Sequence, residues 1–369
     1  FRNVLLTPGF IVNTFTWPLS IDNAAKILGI SLYTWNDLMS APVTPSLLSL
    51  HTFFILLGNA FKLDLVAIFK LELITTYTFV AFTMYLLEYS LLRSRIKRED
   101  LTKIYWISSV LAGLAYLFYP AITVNRVERF ASIFGYMLSP LIMLFFIKSL
   151  DERKPTYILL SAIFLTLAVN SGALRWYIYV PLLMIGYALF AALYKILVNQ
   201  EDISKTIKDI TFFVFFFVLF TSLLNMYRVI SLMSVVEVPG TVTVISTDAV
   251  RNRFQRATIL NLIRGLGDLR ALVLFSNPPI PGMIFEIVTL ILPIVAFSSL
   301  ILRNQVKRKL SLEITYFSLV ASLIPILFSN YHFRNWFFFE MPSFIQNYIS
   351  RAFLTTKFQF LIGFSHAIL

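Results

Sequence analysis

Long apolar stretches separated by short charged loops are the main pattern along the chain. A membrane-spanning helix needs about 20 mostly apolar residues. Eight stretches approach or reach this length, and they cover residues 71–92, 104–120, 133–148, 156–173, 177–196, 210–231, 283–302 and 311–329. The pattern therefore predicts an all-α, polytopic integral membrane protein.

The charges of the loops predict how these helices are oriented. Loops after the first, third, fifth and seventh stretches carry many cations, whereas the short loops between them carry few. Lysine and arginine are enriched in cytoplasmic loops, so the first set of loops is predicted to face the cytoplasm. Its cations are Arg93, Arg95, Lys97, Arg98, Lys103, Lys148, Arg153, Lys154, Lys195, Lys205, Lys208, Arg303, Lys307, Arg308 and Lys309.

This orientation divides the chain into five segments. Residues 1–70 are predicted to form an outer loop, and residues 71–231 a block of six transmembrane helices. Residues 232–282 form a helical loop on the extracytoplasmic side, and residues 283–329 contain two further transmembrane helices. Residues 330–369 are an outer segment that leads into another span.

Two short stretches of the first outer segment predict helices that lie on the membrane. In residues 23–35, apolar side chains recur at helical spacing and end at Trp35, a residue type enriched at membrane interfaces. Residues 46–61 are also apolar, but a span there would turn loop 93–103 outward against the charge rule. An interfacial or re-entrant helix is therefore predicted for residues 46–61.

Composition supports a membrane protein and excludes several other classes. The chain is 58% apolar and 14% charged, whereas a soluble domain is about half apolar and a quarter charged. The net charge of +12 therefore indicates loops that face anionic lipids rather than a nucleic-acid-binding protein. The absence of cysteine excludes thiolate metal sites, and three scattered histidines argue against a histidine metal cage. Because the chain begins at Phe1 without methionine, we expect it to be part of a longer polypeptide.

Asp22 is the first candidate for chemistry. It precedes the predicted helix of residues 23–35, and aspartate is a favoured N-cap residue. On the outer face it is also placed to act as a general base between a water-soluble acceptor and a lipid-borne donor. The two roles are compatible, and both stay open at this point.

Five basic residues on the outer side are candidates for binding phosphate. Arg126 and Arg129 lie in the second outer loop, Arg175 follows the fourth predicted helix, and Arg351 and Lys357 precede the terminal apolar run. Arginines at an interface commonly extend toward lipid headgroups, which is the simpler explanation for each of them. A guanidinium group also matches the oxygens of a phosphate, which is the alternative.

Acidic residues are rare within the predicted spans. Glu72, Glu88, Glu286 and Glu313 are the examples, and most of them are near the ends of apolar stretches. We expect these carboxylates to lie at the membrane interfaces or to reach toward them.

Two motifs resemble a known family. Residues 18–69 contain P-x3-D, then LYTWND, then P-x-L-x4-TFFILLGNAFKLDLVAIF, and residues 351–358 read R-x-F-L-T-T-K-F. These segments resemble the first outer loop and a late signature of GT-C membrane glycosyltransferases of the arabinofuranosyltransferase type and their archaeal relatives. The resemblance implies a polyprenyl- or dolichyl-phosphate sugar donor and inverting transfer to an extracytoplasmic glycan, lipid or protein acceptor.

The resemblance also implies roles for individual residues. Asp22 stands where the family has its catalytic acid. Arg351 and Lys357 are the first choice for binding the donor phosphate, and the other outer arginines are the second choice. Many family members have a second acid beside the first, whereas Asn23 follows here. This difference leaves divalent-metal dependence open, and we expect no other cofactor because nucleotide-binding motifs are absent.

The sequence leaves two other functional classes open. A lipid-linked glycan flippase or transporter would use the same basic outer residues without catalysis. A non-catalytic subunit of a membrane or cell-surface assembly would use the outer loops for docking. In each case we expect a multi-pass protein of the plasma membrane, and for the enzyme an active site on the extracytoplasmic face.

Overall fold

A computed structural model describes most of the helical segments of the chain. The described residues are 35–36, 41–42, 50–96, 99–119, 133–171, 176–198, 200–226, 263, 291, 293–294, 311–330, 333, 336 and 359–369.

The described structure is helical apart from one short antiparallel pair of β-strands. In chain order its α-helices are α1 (Leu50–Ala60), α2 (Leu65–Ile96), α3 (Thr102–Leu117), α4 (Ile133–Glu152), α5 (Pro155–Ser171), α6 (Trp176–Leu197), α7 (Ile203–Leu224), α8 (Ser311–Ser329) and α9 (Gln359–Ile368). A short 3-10 helix, Glu99–Leu101, precedes α3.

Four of these helices are long and apolar enough to cross a membrane. Their apolar stretches are Val66–Ile96, Ile133–Glu152, Tyr179–Leu197 and Ile203–Leu224. Helices α5 and α8 are apolar but shorter. The described part of the chain is thus a helical architecture typical of a membrane-embedded protein, as predicted.

Helix α7 differs most from its predicted position. The apolar stretch predicted a helix over residues 210–231, but α7 begins seven residues earlier, at Ile203, and ends at Leu224. Lys205 and Lys208 are exposed in its first turns rather than placed in a loop. An apolar stretch in the sequence does not include such turns, because their lysines are polar and exposed although the backbone is already helical.

A two-residue strand pair corrects another prediction. Trp35–Asn36 (β1) pairs antiparallel with Ala41–Pro42 (β2). The helix predicted over residues 23–35 therefore does not extend to Trp35, since tryptophan also favours extended backbone when a partner strand is present. Residues 23–34 lie outside the described residues.

Helix α1 is separate from α2. It ends in a left-handed turn at Lys62 (φ 54°), where the Leu63 N–H donates to the Gly58 carbonyl at 2.8 Å, a typical helix-terminating arrangement. Asp64 Oδ1 then accepts a 2.6 Å hydrogen bond from the third backbone N–H after it and caps α2. With 11 residues, α1 is about 16 Å long and too short to cross a hydrocarbon core of about 30 Å. The helix predicted within residues 46–61 is confirmed, and its place at the membrane interface stays a prediction.

The chain folds as two compact units. Unit 1 comprises residues 1–80, 126–180 and 204–243. Unit 2 comprises residues 81–125, 181–203 and 244–369. Helices α2 and α6 each contribute their first part to unit 1 and their remainder to unit 2.

Unit 1 is organised around α4, the most deeply buried of the four long apolar helices. Its neighbour α5 is joined to it by a hydrogen bond from Ser161 Oγ to the Ile142 carbonyl at 3.0 Å. Phe146 of α4 packs edge-on against Phe217 of α7, with ring centroids 6.2 Å apart. A serine that bonds to a carbonyl, together with interlocked rings, is a common way for helices to associate in apolar surroundings.

Charged side chains of unit 1 meet where α4 turns into α5. Arg153 Nη2 lies 2.7 Å from Asp209 Oδ2 of α7, and both side chains are partly exposed. Lys154 Nζ donates to Glu152 Oε2 at 2.8 Å, and this hydrogen bond raises the pKa of Lys154 above its ordinary value. The α4–α5 turn and the start of α7 thus lie at one end of unit 1.

Unit 2 surrounds α9. Every side chain from Phe360 to Ile368 is buried. The Phe364 ring contacts Tyr116 of α3 and Phe317 of α8, each at 5.9 Å between centroids. The terminal apolar run is therefore helical over Gln359–Ile368, and its continuation into a further span stays a prediction.

Substitution of Gly113 tests the close packing of unit 2. A Cβ at this position of α3 would lie 2.5 Å from the carbonyl oxygen of Ala81 in α2, and a helix backbone cannot easily move aside. We predict that Gly113→Ala lowers stability by about 1–3 kcal/mol, although alanine is favoured over glycine in helices by up to ~1 kcal/mol. Thermal unfolding of the purified chain in detergent measures the difference.

The matched control is Leu114→Ala, the neighbouring and exposed position of α3. It should change the unfolding temperature less than Gly113→Ala does. An unfolding temperature for Gly113→Ala at or above that of the unsubstituted chain would contradict the close approach of the two helices.

Candidate functional site

The residues predicted to form the catalytic and phosphate-binding site lie outside the part of the chain that the structure describes. They are Asp22, Arg126, Arg129, Arg175, Arg351 and Lys357. Their roles therefore stay predictions.

Among the described residues, a buried charged cluster lies in unit 2 where α2, α6 and α8 meet. Arg95, in the last turn of α2, contacts Glu313, in the first turn of α8. Arg95 Nη2 and Nε lie 2.7 Å and 2.8 Å from the same oxygen, Oε1 of Glu313. The hydroxyl of Tyr187 on α6 donates to that oxygen at 3.1 Å. One carboxylate oxygen therefore accepts hydrogen bonds from two other helices.

Helix ends explain why these two charges occupy these positions. A cation is favoured at the C-terminus of a helix and an anion at the N-terminus, because of the free carbonyls and amides there. Arg95 and Glu313 satisfy both preferences at once. The Glu313 side chain is 1% exposed and that of Arg95 is 21% exposed, so the guanidinium connects a buried carboxylate to solvent.

Glu88 adds a second carboxylate to the cluster. It lies seven residues before Arg95, about two helical turns, and therefore on the same face of α2. Its residue is only 9% exposed, and it is close enough to Glu313 for the two charges to interact. Two carboxylates, those of Glu88 and Glu313, are thus buried in this part of unit 2.

Aromatic rings enclose the cluster on the side of α6 and α8. Tyr316, one turn after Glu313, donates its hydroxyl to the Leu183 carbonyl at 2.8 Å. The Tyr187 ring meets Tyr316 edge-on at 5.5 Å and stacks on Phe317 at 6.4 Å. Because these rings exclude water, charge interactions in the cluster are stronger than at an exposed surface.

The structure adds burial to the expectation for the acidic residues. Glu72, Glu88 and Glu313 are buried among protein side chains, and their place at a membrane interface stays a prediction. For Glu313 the reason is the guanidinium and phenol that satisfy its carboxylate. In the sequence, the spacing of Glu88 and Arg95 on one helix face was a local indication of the buried cluster. Glu313 on α8 could not be added to it, because it is distant in sequence. Glu286 lies outside the described residues.

The same unit has an open groove at the junction of α2 and α3. Its volume is about 490 Å³, and it is lined by Tyr89, Thr102, Lys103, Trp106 and Ile107. The lining is mostly apolar with one cation, which suits a lipid chain near a headgroup rather than a polar substrate. In the described ranges, no group of three or more histidine, cysteine, aspartate or glutamate side chains is arranged to hold a metal ion.

Comparisons with known proteins identify no relative. No protein-family model matches the chain, and neither a curated protein nor a solved structure matches it.

Removal of the Glu313 carboxylate tests the ion pair. We predict that Glu313→Ala destabilises the protein by about 3–5 kcal/mol, because it leaves the Arg95 guanidinium without its counter-ion in a largely buried site. The double variant Arg95→Met/Glu313→Leu should be more stable than Glu313→Ala, since it removes both charges and keeps the volume. Thermal unfolding of the full chain in detergent provides the comparison.

Arg153→Ala is the matched control, because it removes the partly exposed pair with Asp209. An exposed pair contributes about 0–1 kcal/mol. If Glu313→Ala is as mild as Arg153→Ala, the buried pair does not stabilise unit 2 in the way described.

Proposed function

We propose that the chain is a GT-C-type membrane glycosyltransferase of the plasma membrane. It transfers a sugar from a polyprenyl- or dolichyl-phosphate donor to a glycan, lipid or protein acceptor on the extracytoplasmic side. The main support is the order of helices in the segment that carries the family resemblance. A separate short helix, α1, is followed by the long apolar helix α2, and the resemblance implies juxtamembrane helices before the first span.

The proposal includes eight spans with the cation-rich loops in the cytoplasm. Two ion pairs support this orientation within the separate units. Arg153 and Asp209 bring together two loop regions of unit 1 that are predicted to be cytoplasmic. In unit 2, Arg95 of the first loop predicted to be cytoplasmic pairs with Glu313, which is at the start of the eighth predicted span, next to the last such loop. A pair between loops predicted to lie on opposite sides would have argued against the orientation.

In the proposed reaction, the acceptor hydroxyl attacks the anomeric carbon of the sugar. Asp22 removes the proton of that hydroxyl. The bond between the anomeric carbon and the lipid phosphate breaks, and the phosphate leaves with the electron pair. Arg351 and Lys357 stabilise its negative charge, with Arg126, Arg129 and Arg175 as the second choice.

A lipid-linked glycan transporter is the second candidate. The observation that favours it is the cluster of Glu88, Arg95 and Glu313, because ionisable residues within membrane helices commonly mark ion or proton pathways. In that case the outer cations would bind the same lipid phosphate, and the bond between the sugar and the phosphate would not be cleaved.

Cysteine labelling tests the orientation, and the chain has no native cysteine that would interfere. We predict that single cysteines at Ser40 or Asn59 react with a membrane-impermeant thiol reagent added to intact cells. A cysteine at Lys154, in the α4–α5 turn, is the matched control and should react only after lysis. Labelling of Ser40 and Asn59 variants only after lysis would invert the orientation and exclude an extracytoplasmic active site.

Asp22→Asn separates catalysis from helix capping. Asparagine caps a helix about as well as aspartate, so stability should stay near that of the unsubstituted chain. Loss of a general base should lower sugar transfer by about 10²- to 10⁴-fold. Transfer from a polyprenyl-phosphate sugar and the unfolding temperature are measured on the same preparation.

Asp64→Asn is the control, because Asp64 caps α2 at a described position and has no proposed catalytic role. It should leave transfer unchanged. Full transfer activity in Asp22→Asn would mean that Asp22 is only a cap.

A further inference from the structure

The groove between α2 and α3 in unit 2 combines apolar walls with one cation. Its volume of about 490 Å³ is in the range of about 300–1,000 Å³ that is common for binding sites of small molecules. Lys103, Trp106 and Ile107, which line it on the side of α3, are exposed. The groove is therefore accessible from the surface of the helices and is not an enclosed cavity of the core.

A row of aromatic rings on α2 extends one wall of the groove. The Tyr89 ring lines the groove and stacks on Tyr85, with centroids 5.8 Å apart. The Tyr85 ring in turn stacks on Phe82 at 6.2 Å. These positions lie on one face of α2, so the apolar wall continues from the groove toward the middle of the helix.

A second apolar row lies on α3. Ile107 is followed at helical spacing by Leu111, Leu114 and Phe118, all of them exposed. Ile107 and Phe118 are eleven residues apart in the sequence, which is ~16 Å along a helix. One leaflet of a hydrocarbon core of about 30 Å has a similar depth, ~15 Å. The row therefore has the length needed to contact an acyl chain of one leaflet.

The two rows belong to neighbouring helices that run in opposite directions. Gly113 of α3 lies against Ala81 and Tyr85 of α2, whereas Tyr89 and Lys103 meet at the groove. Both rows therefore lead away from the groove in the same direction, and Lys103 is at the opposite, loop-facing end. This order of a cation followed by an apolar path matches the order of headgroup and acyl chain in a lipid.

Charge in this region favours an anionic ligand. Lys103 is exposed and makes no ion pair with any described residue. The stretch from Arg93 to Lys103 contains five cations and two acidic residues. Although Arg95 is paired with Glu313, the stretch as a whole stays positive. A lysine ammonium group binds phosphate as a point charge, so Lys103 is suited to the phosphate of a lipid headgroup.

We propose that the groove binds one anionic phospholipid, whose phosphate contacts Lys103 while an acyl chain lies along the apolar rows of α2 and α3. A soluble anion would leave the apolar walls uncovered, and a lipid without net charge would gain less from Lys103. Anionic lipids are common in the cytoplasmic leaflet, and loop charge predicts that this end of α2 and α3 faces the cytoplasm. The bound lipid is therefore not the sugar donor of the proposed reaction, which is held on the extracytoplasmic side.

Lipid binding by the purified full chain in detergent, counted by native mass spectrometry, tests the contact with the headgroup. Phosphatidylglycerol and phosphatidylcholine with identical acyl chains are titrated separately. We expect the chain to bind phosphatidylglycerol more tightly. Lys103→Gln removes one charge and should weaken phosphatidylglycerol binding about fivefold, so that the preference for the anionic lipid is largely lost.

Lys208→Gln is the matched control, because Lys208 is an exposed lysine of another cation-rich stretch and does not line the groove. It should leave the preference unchanged. Equal affinity of the unsubstituted chain for the two lipids would overturn the proposal. Equal effects of Lys103→Gln and Lys208→Gln would also overturn it, because the attraction would then be a property of the whole cationic surface.

A second pair of variants tests the acyl chain. Ile107→Trp fills part of the groove and should cause a loss of affinity for both lipids, whereas Leu193→Trp, at an exposed position of α6, should not. Glycerol 3-phosphate, which has the phosphate without the chains, should not displace bound phosphatidylglycerol at equal concentration. Displacement by glycerol 3-phosphate, or unchanged lipid affinity in Ile107→Trp, would show that the apolar walls do not bind a chain and would overturn the proposal.

Discussion

The ion pair of Arg95 with Glu313 is the constraint on which the described core of unit 2 depends most. A carboxylate that is 1% exposed is tolerated only with a counter-ion and further hydrogen-bond donors. Arg95 and Tyr187 meet this requirement, and in doing so they fix the end of α2 and the middle of α6 at the start of α8. Glu88, on the same face of α2 as Arg95, is also buried.

Unit 1 is held together differently. Its described core relies on interlocked rings such as Phe146 and Phe217 and on hydroxyl bonds to backbone carbonyls such as that of Ser161. Its ion pair, Arg153 with Asp209, is at the partly exposed end of the helices. Apolar surroundings explain the ring packing and the hydroxyl bonds of this core. Where lipid is the solvent, packing and internal hydrogen bonds replace the hydrophobic effect between helices.

For the described helices, the sequence alone predicted most positions to within a few residues, but it predicted the buried cluster poorly. The bounds of α8 agree with the predicted stretch 311–329, because charged loops and a continuous apolar run mark both ends. The start of α7 was wrong because exposed Lys205 and Lys208 belong to the helix. The burial of Glu313 depends on Arg95, a residue 218 positions away, and no local pattern reveals such a contact. The candidate catalytic residues, including Asp22, were chosen by resemblance and local chemistry, so their geometry stays a prediction.

Cleavage of the lipid donor is the most direct test of the proposed activity. The purified full chain in liposomes is given a panel of polyprenyl-phosphate sugars with candidate oligosaccharide acceptors, and released polyprenyl phosphate is quantified. The account predicts acceptor-dependent release of polyprenyl phosphate from at least one donor, without added nucleotide. Movement of an intact donor to the other leaflet without any release of polyprenyl phosphate would contradict the account and identify a transporter.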